Sequence, residues 1–539
     1  MKRHILAWAA SAALVGAVGA APAMADDSGA TQALGQSAAN QQSADSDATS
    51  TQVAPSNQNI SVRVLSPGND GPVTQTNSSQ ALSAAGNLNS TSQDASQTQG
   101  GGGGTQAADQ TAASQQSADS TATSKQIKPS NQNISVRVLS SGDNGSVTQT
   151  NASEAGALAG NKNDTTQHAD QSQGGGGGGT QAALQQAYNT QHASADAESK
   201  QIHPSNENIG VRVLSPGNDG SVKQTNASGA AALAGNENST KQDASQYQGV
   251  ARPEPSKDCR CDGDSTGIQA LGQKAVNKQD ASADATSEQI HPSNVNAPVR
   301  VGSPGDNGKV EQANVSFAGA LAGNANETTQ NAEQDQGGRS APVRDCYDRC
   351  DDPCRDRCDD PCHDGCGHDS TAIQALGQQA YSDQKADADA DSKQIGASNV
   401  NAPVRTGSPG GDGSVEQLNA SGAESFAGNK NSTEQKADQD QGGGYGTAIQ
   451  ALGQDAVNRQ SADSDATSEQ ICPVNLNAPV FDGAYGAKEH KDGKDGKDGK
   501  DGEDREIAKP GSVKQSNLSW AKSKAGNKNR LMQWGKQRM

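Results

Sequence analysis

The chain is 539 residues long, carries a formal net charge of −19 and is only 2% aromatic. Burying an alanine methyl stabilises by about 0.8 kcal/mol, whereas ordering one residue's backbone costs about 1–2 kcal/mol. A composition this poor in large apolar side chains therefore excludes segments that fold alone around a sizeable core. The acidic balance also argues against nucleic acid as a partner, because it lacks both the basic footprint and the stacking platforms.

The first 25 residues stand apart. Lys2 and Arg3 precede the apolar run "ILAWAASAALVGAVGA", and "AMA" at Ala23–Ala25 suits cleavage before Asp26. That is the pattern of a secretory signal peptide, residues 1–25, and it implies a secreted or cell-surface protein. No later stretch approaches the roughly 18 apolar residues of a spanning helix, so no transmembrane segment is expected in the mature chain.

Self-comparison then reveals one unit repeated along the sequence: 31–100, 105–174, 180–249, 266–338, 371–444 and 447–539. A Cys-containing linker, 250–265, and a Cys/Asp-rich linker, 339–370, separate the later copies. A Lys-Asp-Gly linker, 487–505, interrupts the last one, and its three-residue period without proline reads as a flexible spacer. Fixed-period self-similarity is the signature of a repeat architecture.

Each unit has two alternating arms around a turn-rich middle. In "QDAVNRQSADSDATSEQ", residues 454–470, every second residue is small or an amide, including Ala456, Ala462 and Ala466. In the second arm of the fifth copy the same alternation runs from Val415 to Gln441. A helix would smear such a set around its circumference, whereas a strand puts it on one face. The middle, "SNQNISVRVLSPGNDGPV", holds a short β-run and Pro-Gly and Asn/Asp-Gly steps that favour tight turns. The glycine in "AGNKN" predicts a second bend within the second arm. The expected fold is all-β: a β-solenoid or stacked strand-turn-strand layers, with amides at matching positions stacking into ladders. A largely disordered low-complexity chain is the alternative.

In "GNKNSTEQKADQDQ" the residues Gly428, Asn431, Gln435 and Gln439 fall at offsets that resemble the curlin repeat of bacterial surface fibres, and "ICPVNLNAPV" around Cys472 is similar to rodlin-like coat proteins. The resemblance covers about a third of each unit. It implies strand-turn-strand packing and self-association. This chain departs from the curlin pattern in its longer units, its glycine runs and its cysteine inserts.

The remaining motifs carry little chemistry. Cys346, Cys350, Cys354, Cys358, Cys362 and Cys366 recur every fourth residue, with His363 and His368 interleaved, and Cys259 and Cys261 sit in the earlier linker. In an oxidising exterior these eight cysteines are disulfide candidates. The six-cysteine cluster with its two histidines is the alternative metal site, since thiolate and imidazole together bind zinc or copper. The odd total leaves a thiol such as Cys472 over. Asn-x-Ser/Thr triplets, among them Asn151, Asn226, Asn314, Asn419 and Asn431, arise automatically from alternating Asn, Ser and Thr on one face. No nucleophile–base–orienter set is present, so neither an enzyme nor a cofactor is expected. The sequence reads as a secreted bacterial structural repeat protein of the envelope, extracellular matrix or coat. It would associate with itself and with cell-surface or matrix components. A surface adhesin or a cation-binding acidic repeat protein is the alternative.

Overall fold

The computed structural model describes residues 11–12, 23–25, 31–100, 103–174, 178–249, 266–337, 370–442, 446–482 and 511–539. Each repeat forms one flat layer of three strand segments. In the first layer a long first arm, Thr31–Val53, turns at a corner into a short middle strand, Ser56–Val64. A loop then leads into the second arm, Val73–Gln99, which runs back over the first. The second layer repeats this as Thr105–Ile127, Ser130–Val138 and Val147–Gln173. The third is Thr180–Ile202, Ser205–Val213 and Val222–Gly249, and the fourth is Thr266–Ile290, Ser293–Val301 and Val310–Gly337. The fifth and sixth layers split the middle strand: Ser370–Ile395, Ser398–Asn401, Val404–Thr406 and Val415–Gln441, then Gly446–Ile471, Val474–Asn477, Val480–Asp482 and Val513–Arg538.

Successive layers pair in parallel, so the first arms form a six-stranded sheet, the second arms an eight-stranded one that Ser11–Ala12 and Ala23–Ala25 join, and the middle strands close one side. The result is a flattened β-solenoid. Register is kept by identity: Gln36, Gln110, Gln185, Gln273, Gln378 and Gln454 stack in one column. An arm of 23 residues spans about 76 Å and six layers stack to about 29 Å, from the ordinary strand rise and spacing.

The alternation does what a strand dictates. Inward positions of the two arms meet in a thin interior whose centre is alanine: Ala193, Ala195 and Ala197 face Ala230, Ala232 and Ala234, each at most 2% exposed. Only such small side chains fit between arms this close. The predicted second bend is absent. Gly86, Gly160, Gly235, Gly323, Gly428 and Gly526 form a column within unbroken strands. Glycine weakens a strand there without turning it, because the neighbours above and below hold it extended.

Stacking also explains the turn glycines. Gly142 has φ +128°, and an added Cβ would lie 2.2 Å from the Gly68 carbonyl oxygen one layer below. At Gly145, whose backbone is not left-handed, the same atom would meet Gly71 O at 2.0 Å. The turn must be glycine twice, once for its backbone angle and twice for its neighbours.

Candidate functional site: amide ladders and a buried arginine column

The strongest chemistry lies inside the stack. Gln106 donates its side-chain N–H to Gln32 Oε1 of the layer below at 3.2 Å, and Gln181, Gln269, Gln374 and Gln450 continue the column at 2.8–2.9 Å. The second hydrogen crosses the interior: Gln185 Nε2 donates to Gln110 Oε1 and to the Asp243 carbonyl, both at 2.9 Å. Each glutamine therefore ties its own layer to the one below and to the facing arm.

Asparagine columns run with the opposite polarity. Asn77 donates upward to Asn151, and Asn151, Asn226, Asn314 and Asn419 each donate to the next, ending on Asn517, at 2.9–3.0 Å. Serines complete the seam: Ser124–Ser153, Ser199–Ser228, Ser287–Ser316 and Ser392–Ser421 pair Oγ to Oγ across the interior at 2.9 Å. Buried amides and hydroxyls are costly only when unpaired, so an interior bonded along its columns stands in for an apolar core.

The polarity has an end effect. A column that always donates downward leaves its top oxygen without a donor from above, and one that donates upward leaves its bottom oxygen without a donor from below. Gln450 Oε1 in the last layer, and Asn87 Oδ1 and Asn89 Oδ1 in the first, are enclosed atoms without a hydrogen-bond partner. Others, at Gln336 and Gln441, lie where second arms run out into linkers. At the first-layer edge, Ser11–Ala12 and Ala23–Ala25 pair with Asn87–Leu88 and Gln97–Gln99.

Arg63, Arg137, Arg212, Arg300 and Arg405 form a column at the middle strand, and all but Arg63 are at most 2% exposed. The facing turn supplies Asp70, Asn144, Asp219, Asn307 and Asp412 in alternation. Each acid in the lower layers serves two guanidinium groups: Asp219 lies 2.7 Å from Arg212 Nε and 2.8 Å from Arg300 Nη2. The arginines also donate to backbone carbonyls, as Arg137 does to Gly68 O at 2.6 Å and Asp143 O at 2.8 Å. Burial pushes Arg137 and Arg300 below the usual guanidinium range. Burial works against ionising Asp70, but the Arg63 hydrogen bond and the Arg137 charge hold its carboxyl below its ordinary value. In the sequence the "VRV" run shows plain β-character and no partner for its arginine within the run. The column's signal is an arginine seven residues before an Asp or Asn in five copies.

The corners make a third column. Ala54, Lys128, His203, His291, Gly396 and Cys472 all have φ between +48° and +60°. His203 and His291 stack with ring centroids 5.2 Å apart, and Cys472 is exposed at the last corner with a free thiol. The other sequence candidates, Cys259, Cys261, Cys346, Cys350, Cys354, Cys358, Cys362, Cys366, His363 and His368, lie outside the described residues. Among the described residues no three His, Cys, Asp or Glu side chains gather to hold a metal ion. Asn151, Asn226, Asn314, Asn419 and Asn431 are at most 1% exposed, and their amides are committed to the ladders.

The fold and these columns define a repeat protein of β-solenoid class. Comparison with known proteins finds no matching family model, no matching curated protein and no matching solved structure. Among the described residues no helix is long and apolar enough to cross a membrane.

Proposed function

We propose that the chain is a secreted bacterial structural protein of an envelope, matrix or coat, and that its copies stack end to end as the layers stack within one copy. The carrying observation is the pair of unsatisfied ends: Gln450 Oε1 at the last layer, and Asn87 Oδ1 and Asn89 Oδ1 at the first. A buried acceptor left unmade costs about 1–3 kcal/mol, which a further layer would relieve. The ends also carry the same residues, with Gln454, Ser468, Asn475, Gln515 and Asn517 in the columns of Gln36, Ser50, Asn57, Gln75 and Asn77.

Ladder polarity favours one arrangement. Last layer on first layer brings a glutamine oxygen against a glutamine N–H, and an asparagine N–H against an asparagine oxygen. Last on last, or first on first, sets like against like. A heterologous contact of this kind does not close and gives filaments. Removal of residues 1–25 would bare the first-layer edge that Ser11–Ala12 and Ala23–Ala25 now cover.

The test is growth of fibres from the chain starting at Asp26, followed by light scattering and seeding. Elongation should depend on concentration and be accelerated by fragments. Gln450→Glu with Gln454→Glu, which places charge on the last edge, should slow it at least tenfold. A chain that stays monomeric at every concentration and binds calcium saturably would replace this reading with the cation-binding one.

A further inference from the structure

The last strand, Val513–Arg538, differs from every other second arm. It contains five lysines and two arginines and no acid, in a chain whose formal net charge is −19. Lys514, Lys522, Lys524, Lys528, Arg530, Lys536 and Arg538 all fall on alternate positions, so they share the outward face, and all but the half-buried Lys536 are exposed. Trp520 and Trp534, 37% and 52% exposed, stand on the same face. The strand rise makes this a single straight row about 80 Å long.

Part of the row is used within the molecule. Lys522, Lys536 and Arg538 lie 3.9, 3.6 and 3.7 Å from Glu424, Asp438 and Asp440 of the layer below. The centre is not. Among the described residues Lys524, Lys528 and Arg530 have no carboxylate within ion-pair distance, and Lys528 stacks directly on Lys430, another cation without one. Neutralising the fifth layer therefore does not account for them.

We propose that this row binds a linear anionic polysaccharide laid along the last strand, independently of end-to-end stacking. The shape of the charge selects the partner. A flat anionic bilayer would also meet the exposed Glu154, Glu327 and Glu333 on the same broad face, and they would repel it. A single-stranded nucleic acid would need closely spaced aromatic platforms, but Trp520 and Trp534 are fourteen residues, or about 46 Å, apart. A narrow carboxylated polymer touches the row alone, and the indoles offer flat apolar faces to its sugar rings. In a stacked filament the row would recur once per copy and remain accessible from the side.

The experiment uses the full chain with Trp8→Phe, so that Trp520 and Trp534 alone report, and alginate as the probe. Alginate should shift the tryptophan emission saturably, neutral dextran should not, and the affinity should fall linearly with log salt. Lys524→Leu, Lys528→Ala and Arg530→Ser replace each cation by a residue that another layer carries in the same column. Together they should weaken binding at least tenfold and flatten the salt slope. If the triple variant loses its strand signal in circular dichroism, Lys528→Ala alone is read, and a loss of twofold or more is expected. Undiminished binding by a folded variant overturns the proposal. So does tighter binding to phosphatidylglycerol vesicles or to oligothymidylate, or a row whose loss affects only self-association.

Discussion

The guanidinium of Arg137 lies 2.9 Å from the carboxylate of Asp70, which belongs to the layer below, while its own layer offers Asn144 at 2.7 Å. The pattern repeats at Arg300, whose acid is Asp219 below and whose own-layer partner is Asn307. Alternating Asp and Asn lets one carboxylate serve two layers and keeps carboxylates from stacking directly on one another. The column therefore joins layers in pairs by charge as well as by hydrogen bonds.

Asp219→Asn should be costly, because it leaves Arg212 and Arg300, 1% and 0% exposed, without a counter-charge. Removing one partner of a buried pair destabilises by about 3–5 kcal/mol. Asp143→Asn, in the same turn one layer down but exposed, keeps an acceptor for the Asn218 N–H and should change stability by less than about 0.5 kcal/mol. Thermal or denaturant melting of the two variants distinguishes them.

Acid should first stabilise the fold and then destabilise it. Asp196, Asp284 and Asp389 stand one above another on the outer face of the first arms. Burial, then repulsion from neighbouring carboxylates, raises each above its ordinary value of 3.8. The folded chain then holds protons that the unfolded chain has released. Stability accordingly falls as pH rises from the ordinary value through the raised ones, and returns on acidification through that window. Asp70 acts in the opposite sense: its folded value is lowered, so its contribution is complete above the ordinary value and is lost as pH falls through the folded one. Melting temperature measured from pH 8 to pH 2 should pass through a maximum on the acid side of neutrality. Asp284→Asn should reduce the rise; a rise of unchanged size would remove the stacked carboxylates as its cause.

Ala386→Asp and Asp387→Ala separate the two faces of one strand. Ala386 is 0% exposed among alanines of adjoining layers, so a carboxylate there has no partner and should cost about 3 kcal/mol or more. Asp387 points outward beside Lys385, and its removal should be close to neutral. Equal losses of strand signal in the two variants would contradict the register.

Much of this architecture is legible in the sequence because the period of two and the repeat are both strong. Alternation in 454–470 gives the inward set Ala456, Ala462 and Ala466, and identical slots in successive copies give the ladders. What escaped detection depends on close approach. Gly428 reads as a bend because a local pattern carries no trace of the strands that hold it straight. Arg137 reads only as part of a short β-run because its acid, Asp70, is 67 residues away along the chain and adjacent only after stacking. The basic face of Val513–Arg538 was open to view, but the net charge of the whole chain masked it.

The most direct test of end-to-end stacking uses the corner column. Head-to-tail addition would set Cys472 of one copy beside Ala54 of the next, at the spacing of adjacent corners within the stack. Adjacent strands lie about 4.8 Å apart, within the Cα range of a disulfide, about 4.4–6.8 Å. In a chain starting at Asp26, with Ala54→Cys and the eight other native cysteines replaced by serine, fibres are grown, oxidised and mapped by mass spectrometry. The account predicts that the introduced thiol at position 54 links to Cys472 of a neighbouring copy. Links joining Cys472 to Cys472, or position 54 to position 54, would contradict it.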